Sequence, residues 1–194
     1  VAETPIRIVV HADESCLGND RLKATPGGNA ALIEAPAGDS VARWDFFEFS
    51  PQTTNNRMAL AGAIAVLEWI RRQWRAAQVR YVSDSEYLVK GMREWVEGWI
   101  ERGWKRKGGA LENVELWQKL VEAARAHRVS WEWVRGHADH AKNEYADALA
   151  VRAAELQQRS NGLVPSGFDE WLRRERQGGR FGDYDPDREV REPA

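Results

Sequence analysis

IRIVVHADES, residues 6–15, is the stretch that decides the architecture. Its first six residues, Ile6 to His11, form a β-branched, apolar run. Such a run reads as a buried strand. It ends in Ala12-Asp13-Glu14-Ser15. Gly18, Asn19, Pro26, Gly27 and Gly28 then mark a loop.

Working outward, a second strand is expected over Asn29–Glu34 and a third over Val41–Phe49. Pro36, Gly38 and Asp39 between them supply hairpin chemistry. Thr53 to Asn56 offers a helix start, and Met58, Leu60, Ile64, Leu67 and Ile70 follow at helical spacing. Val79–Val82 reads as a strand, followed directly by Ser83-Asp84-Ser85. Glu86–Ile100 and Val114–Ala126 read as helices, with Gly103, Gly108 and Gly109 breaking the pattern between them. Val129–Val134 alternates as a strand, Gly136–Lys142 is a loop, and a final helix runs from Asn143 to about Gln158. This order predicts an α/β domain with a mixed sheet. Beyond Arg159 helical periodicity is lost, apart from a turn at Phe168–Leu172. Residues 159–194 are therefore expected to be a C-terminal extension that is either flexible or loosely docked.

Composition sets limits on function. The 194 residues carry a formal net charge of -2, so any nucleic-acid contact must come from a local basic patch rather than a general field. A single cysteine, Cys16, excludes an internal disulfide and suits a reducing compartment. No apolar run reaches the ~18 residues of a membrane helix. No secretory signal is visible at the N-terminus.

Three aspartates fall at comparable positions: Asp13 and Asp84 at strand ends, Asp147 in the first turns of the last helix. In α/β sheets, sites form outside strand ends. Clustered carboxylates need a counter-charge, and hard oxygen ligands suit Mg²⁺ or Mn²⁺. Aspartates in such places also serve as caps and turn formers.

At these residues the chain resembles the type 1 ribonuclease H family. The likeness runs from about Arg7 to Ala154. It includes Asp13-x-Ser15-Cys16-Leu17-Gly18-Asn19, Thr53-Thr54-Asn55-Asn56-Arg57-Met58 and Ser83-Asp84-Ser85-x-Tyr87. It continues through Trp95, Trp99, Arg102-Gly103-Trp104, Asn113-Val114-x-Leu116-Trp117, Trp131-x-Trp133-Val134-x-Gly136-His137-Ala138-x-His140, Asn143-Glu144 and Asp147. The resemblance implies a ribonuclease H-like fold over residues 1–158, with a five-stranded mixed sheet flanked by helices. It implies an endonuclease that cuts the RNA strand of RNA/DNA hybrids with two divalent ions, leaving 5′-phosphate and 3′-hydroxyl ends. Asp13, Asp84 and Asp147 match three of the family's four metal-binding carboxylates. His137 matches its loop histidine, assigned to proton transfer or product release; a histidine bonding the backbone is the alternative. A cytoplasmic monomer is the further expectation.

The sequence departs from the family where the fourth carboxylate belongs. The usual Asn-Asn-Arg-Met-Glu-Leu reads Asn55-Asn56-Arg57-Met58-Ala59-Leu60, and Asp-Gly-Ser reads Asp13-Glu14-Ser15. Glu14 either replaces the lost ligand from a new backbone position or is a solvated loop residue. Strand neighbours point to opposite faces, so the first option predicts a turn or bulge at Asp13. Glu86 stands where the family often has glutamine. Asn19, Asn55 and Asn56 match positions that contact the hybrid. Arg102, Lys105, Arg106 and Lys107, with Trp99 and Trp104, resemble the family's basic protrusion, where cations meet phosphate. Core tryptophans beside a solvated charged loop would give the same pattern. The competing readings are a hybrid-binding protein with a weakened nuclease site, and a nuclease-fold enzyme acting on another nucleic acid.

Overall fold

The computed structural model describes residues 5–18, 25–105, 108–136 and 140–192. Among these, β1 (Ile6–Cys16), β2 (Thr25–Ala37) and β3 (Ser40–Thr53) form an antiparallel meander. The helix α1 (Asn55–Trp74) crosses to β4 (Ala77–Ser83), which lies parallel to β1. A helical stretch follows as α2 (Glu86–Lys90), a π-helical turn (Gly91–Trp95) and α3 (Val96–Glu101). Then come α4 (Val114–Arg125), β5 (Arg128–Trp133) and α5 (Ala141–Leu156). The C-terminal segment adds β6 (Val164–Pro165), α6 (Phe168–Gln177) and α7 (Arg188–Arg191).

The sheet order is β5-β4-β1-β2-β3-β6. It has six strands where five were expected, because Val164 and Pro165 pair with Asp45 and Trp44 on the edge of β3. The described residues beyond 158 thus pack on the sheet edge and on α5, as the docked alternative has it. Phe168 and Leu172 of α6 pack with Leu32, Ala141 and Tyr145. Composition concealed this, since few apolar residues in a charged segment carry the contact.

Alternation on the central strands divides the core. Ile8, Val10 and Ala12 of β1 and Ala31, Ile33 and Ala35 of β2 face Leu60, Ala63, Leu67 and Ile70 of α1 and Trp117 and Leu120 of α4. The opposite face carries α5 and the C-terminal segment. The α1 helix begins where its start chemistry places it: Thr54 is the N-cap, and its hydroxyl accepts from Arg57 N at 3.4 Å. The expected single helix from Glu86 is interrupted by the π turn. There the Trp117 ring fills the space a Gly91 side chain would need; a Cβ would lie 2.0 Å from the ring.

β2 starts earlier than expected because its glycines belong to the strand. A Cβ on Gly28 would lie 2.3 Å from the Ala150 carbonyl oxygen. Glycine is what lets α5 cross β2 so closely. No helix among the described residues is long and apolar enough to cross a membrane.

Candidate active site

β1 and β4 lie side by side, and their last paired residues are Ala12 and Ser83. Asp13 and Asp84 each come one residue later, so both carboxylates stand where the β1–β4 ladder has ended. Asp13 is 6% exposed and points toward α5, where Asn143 Nδ2 donates to its Oδ2 at 3.2 Å. Its Oδ1 accepts from Glu14 N at 2.7 Å. Glu14 interacts with the Ser85 side chain. Ligand oxygens of Asp13, Glu14 and Asp84 lie within 4.8 Å of one another.

The expected turn or bulge at Asp13 is absent. The β1–β2 register runs unbroken from Val9–Glu34 to Cys16–Gly27. Asp13 and Glu14 still converge because β4 has ended, and Asp84 meets carboxylates from both faces across that open end. Glu14 and Ala59 line one narrow cavity, together with Met58, Gly62, Tyr81 and Asn29. The Glu14 carboxylate thus occupies the neighbourhood that a longer side chain at position 59 would enter from α1.

The electrostatics are those of a site short of positive charge. Burial raises the Asp13 pKa to about 9, reinforced by the charges of Asp84, Glu14 and Asp147. Burial raises Glu14 to about 8, with Asp84 reinforcing it and the Ser85 hydrogen bond opposing it. A divalent cation reverses both penalties by favouring the ionised forms. An all-carboxylate donor set fits Mg²⁺ or Mn²⁺ better than zinc. Asp147 is half-buried on α5, one turn beyond Asn143. Gly136 backs onto Asp84: a Cβ there would lie 2.4 Å from its Oδ2. Trp133 Nε1 donates to the Asp84 carbonyl at 2.9 Å, which fixes the end of β4 against β5.

The other expected residues are more scattered. Asn55 and Asn56 are exposed in the first turn of α1. Arg102 and Lys105 are exposed, and Trp104 is half-buried with a left-handed φ of 62°. Trp99 is 9% exposed and packs against Trp95 and Trp117, so it gives little surface to a ligand. It does line an open groove with Tyr87, Trp95, Leu111 and Glu112. Asn19, Arg106, Lys107 and His137 lie outside the described residues. Three contributors were missed from sequence: Asn143, Ser85 and Asn29. Asn143 sits four residues before Asp147, a helical spacing that could have singled it out. Asn29 had no such signal; its buried amide finds no hydrogen-bond partner among the described residues.

Carboxylates gathered beyond the ends of central strands, on a mixed sheet with helices on both faces, make this an α/β protein with a candidate divalent-cation site. The RNase H family model matches residues 5–155. The chain belongs to the ribonuclease H family. It is 43% identical over 154 residues to a ribonuclease H of Syntrophotalea carbinolica, covering 79% of this chain and 94% of that protein. It is 40% identical over 153 residues to a ribonuclease H of Methylococcus capsulatus, covering 78% and 92%. Among solved structures it is similar to LC9-RNase H1, described as a type 1 RNase H with the type 2 active-site motif. That likeness has 47% identity and a TM-score of 0.83, covering 88% of this chain and 82% of that one.

Proposed function

We propose that the chain cuts the RNA strand of RNA/DNA hybrids, leaving 5′-phosphate and 3′-hydroxyl ends. Its divalent-metal site would be built from Asp13, Glu14, Asp84 and Asp147. The observation that carries this reading is the meeting of Glu14 with Asp13 and Asp84 beside Ala59. It supports Glu14 as the replacement for the glutamate the family usually has at position 59. The likeness to a solved relative described by a changed active-site motif points the same way.

Mg²⁺ or Mn²⁺ fits this donor set, with two ions expected. When bound, such ions supply charge neutralisation and Lewis acidity for displacement at phosphorus. The residues do the rest. Asn143 orients Asp13, Ser85 orients Glu14, and the Gly136 backbone limits where the Asp84 carboxylate sits. Asn55 and Asn56, exposed in the first turn of α1, and Asn19, by its match to the family, serve hydroxyl contacts in the minor groove of the hybrid, the feature that separates RNA from DNA. Arg102 and Lys105, with Arg106 and Lys107 beside them in sequence, serve the phosphates of the DNA strand. The protein acts as a cytoplasmic monomer in this reading.

The test is a swap of carboxylate position, read by cleavage of an end-labelled hybrid in Mg²⁺ and in Mn²⁺. Glu14→Ala should lower cleavage more than the ~10–100-fold typical of outer-shell metal partners. Adding Ala59→Glu to that variant should restore much of the loss. Unchanged cleavage in Glu14→Ala would return Glu14 to solvent. Tight hybrid binding with no cleavage by the unaltered chain in either metal would favour the binding-protein reading.

A further inference from the structure

Behind the acidic cluster, on the α5 face of the sheet, lies a second group of metal-ligating side chains with different chemistry. His11 of β1 is fully buried. Its Nε2 lies 3.1 Å from Glu189 Oε2 on α7, and its Nδ1 lies 3.9 Å from Glu34 Oε2. The His140 ring, at the N-cap of α5, has its centroid 6.1 Å from that of His11. One ligand atom each from His11, His140 and Glu189 lies within 4.8 Å of the others. Both nitrogens of His11 and Nδ1 of His140 are buried without a hydrogen bond of acceptable geometry among the described residues.

We infer that His11, His140 and Glu189 form a site for one divalent transition-metal ion of zinc-like chemistry. Such an ion would join the C-terminal segment to β1 and to the start of α5. Two imidazoles and one carboxylate are a donor set that zinc takes in tetrahedral sites. Bonds of ~2.0–2.1 Å place tetrahedral ligand atoms ~3.3 Å apart. The His11–Glu189 pair already stands near that separation, and the ligand atom of His140 lies within 4.8 Å of both.

Two cations lie close to Glu189: Arg80 at 3.4 Å and Lys142 at 3.8 Å. Each has a closer carboxylate of its own. Lys142 Nζ is 2.7 Å from Glu34, and Arg80 makes two hydrogen bonds to Glu132 at 2.7 and 3.0 Å. Glu189 is thus the carboxylate these cations need least. The donor set separates this site from the oxygen-only cluster at Asp13, Glu14 and Asp84, which prefers harder ions.

The probe is Co²⁺, added to the full chain in excess Mg²⁺ that occupies the acidic cluster, and read by visible absorption. Tetrahedral Co²⁺ with nitrogen ligands absorbs far more strongly than octahedral Co²⁺ held by oxygen. A band should saturate at one equivalent and bleach when Zn²⁺ is added. His140→Ala and Glu189→Gln should each weaken binding by at least ~10-fold, while Asp84→Asn should leave the band in place. His11→Phe should abolish it, and the other two variants decide the matter if that buried replacement fails to fold. Absence of a band at one equivalent would leave the pocket to buried water and overturn the site. So would a band that survives both His140→Ala and Glu189→Gln, or one lost in Asp84→Asn.

Discussion

Asp13 and Glu14 are strand neighbours whose carboxylates leave β1 on opposite sides and still reach one cluster. Their raised pKa values, about 9 and about 8, have burial as the first cause and the charge of Asp84 as the next. Without metal, the folded chain therefore holds protons that ordinary unfolded carboxylates release near pH 4. The contribution of these groups to stability is full below that range. It is lost as pH rises through the folded values. In chelator, the denaturation midpoint should fall between about pH 5 and 9, and Asp84→Asn should flatten that fall. Mg²⁺ should raise the midpoint most at the alkaline end and release protons on binding. A midpoint that climbs with pH in the chelated protein would contradict the geometry. At this scale the sequence disclosed the aspartates at the strand ends and the loss at Ala59. It did not disclose how Glu14 gets in, because that depends on β4 ending at the Ala12–Ser83 pair. A single strand read by itself carries no information about where its neighbour stops.

The elements that position these groups are held by close approaches. α5 carries Asn143 and Asp147, and it can lie where it does because β2 presents Gly28 beneath the Ala150 carbonyl. Gly28→Ala would force a Cβ against backbone rather than against a side chain that can turn away. Overpacking of this kind costs ~1–3 kcal/mol. The variant should unfold at lower denaturant by that amount and bind Mg²⁺ more weakly, since α5 must shift and take Asn143 and Asp147 with it. Calorimetric titration of Mg²⁺ into the folded variant checks the second part; unaltered affinity would show that Gly28 serves packing alone. Most elements were legible from periodicity: the first three strands, α1, α4, β5 and α5 stand close to their predicted places. The errors share one cause. Gly27 and Gly28 were read as loop because glycine is rare inside strands. Glu86–Ile100 was read as one regular helix because nothing local announces that Trp117 will press on Gly91. Both are demands of tertiary contact on a residue whose own preference is neutral or contrary.

On the scale of the whole molecule, the C-terminal segment ties the far face together. Glu189 meets His11, Arg80 and Lys142, and Arg43 bonds Glu34 on β2 and Asp169 and Asp187 in the tail. Glu34, Lys142 and His11 are fully buried in this network. Deleting one partner of a buried charge group costs ~3–5 kcal/mol, against a total stability of ~5–15 kcal/mol for an ordinary domain. A chain ending at Gln158 should therefore lose at least several kcal/mol in denaturant unfolding, although the whole acidic cluster lies before the cut. A truncated chain with the stability of the full one would assign the tail no structural part. Composition hid this role: the segment lacks helical periodicity, yet several of its charged residues are internal partners.

One more consequence rests on the two residues of β6. β3 is 14 residues long and stands next to the sheet's margin, with main-chain groups that a foreign strand could seize. Pro165 lies against Trp44 with no N–H to offer on its outer side. Ser160 N and Ser166 N bond the carbonyls of Phe47 and Arg43 on either side. The tail therefore covers the middle of that margin, from Arg43 to Phe47, and the proline leaves a foreign strand one main-chain donor fewer to pair with there.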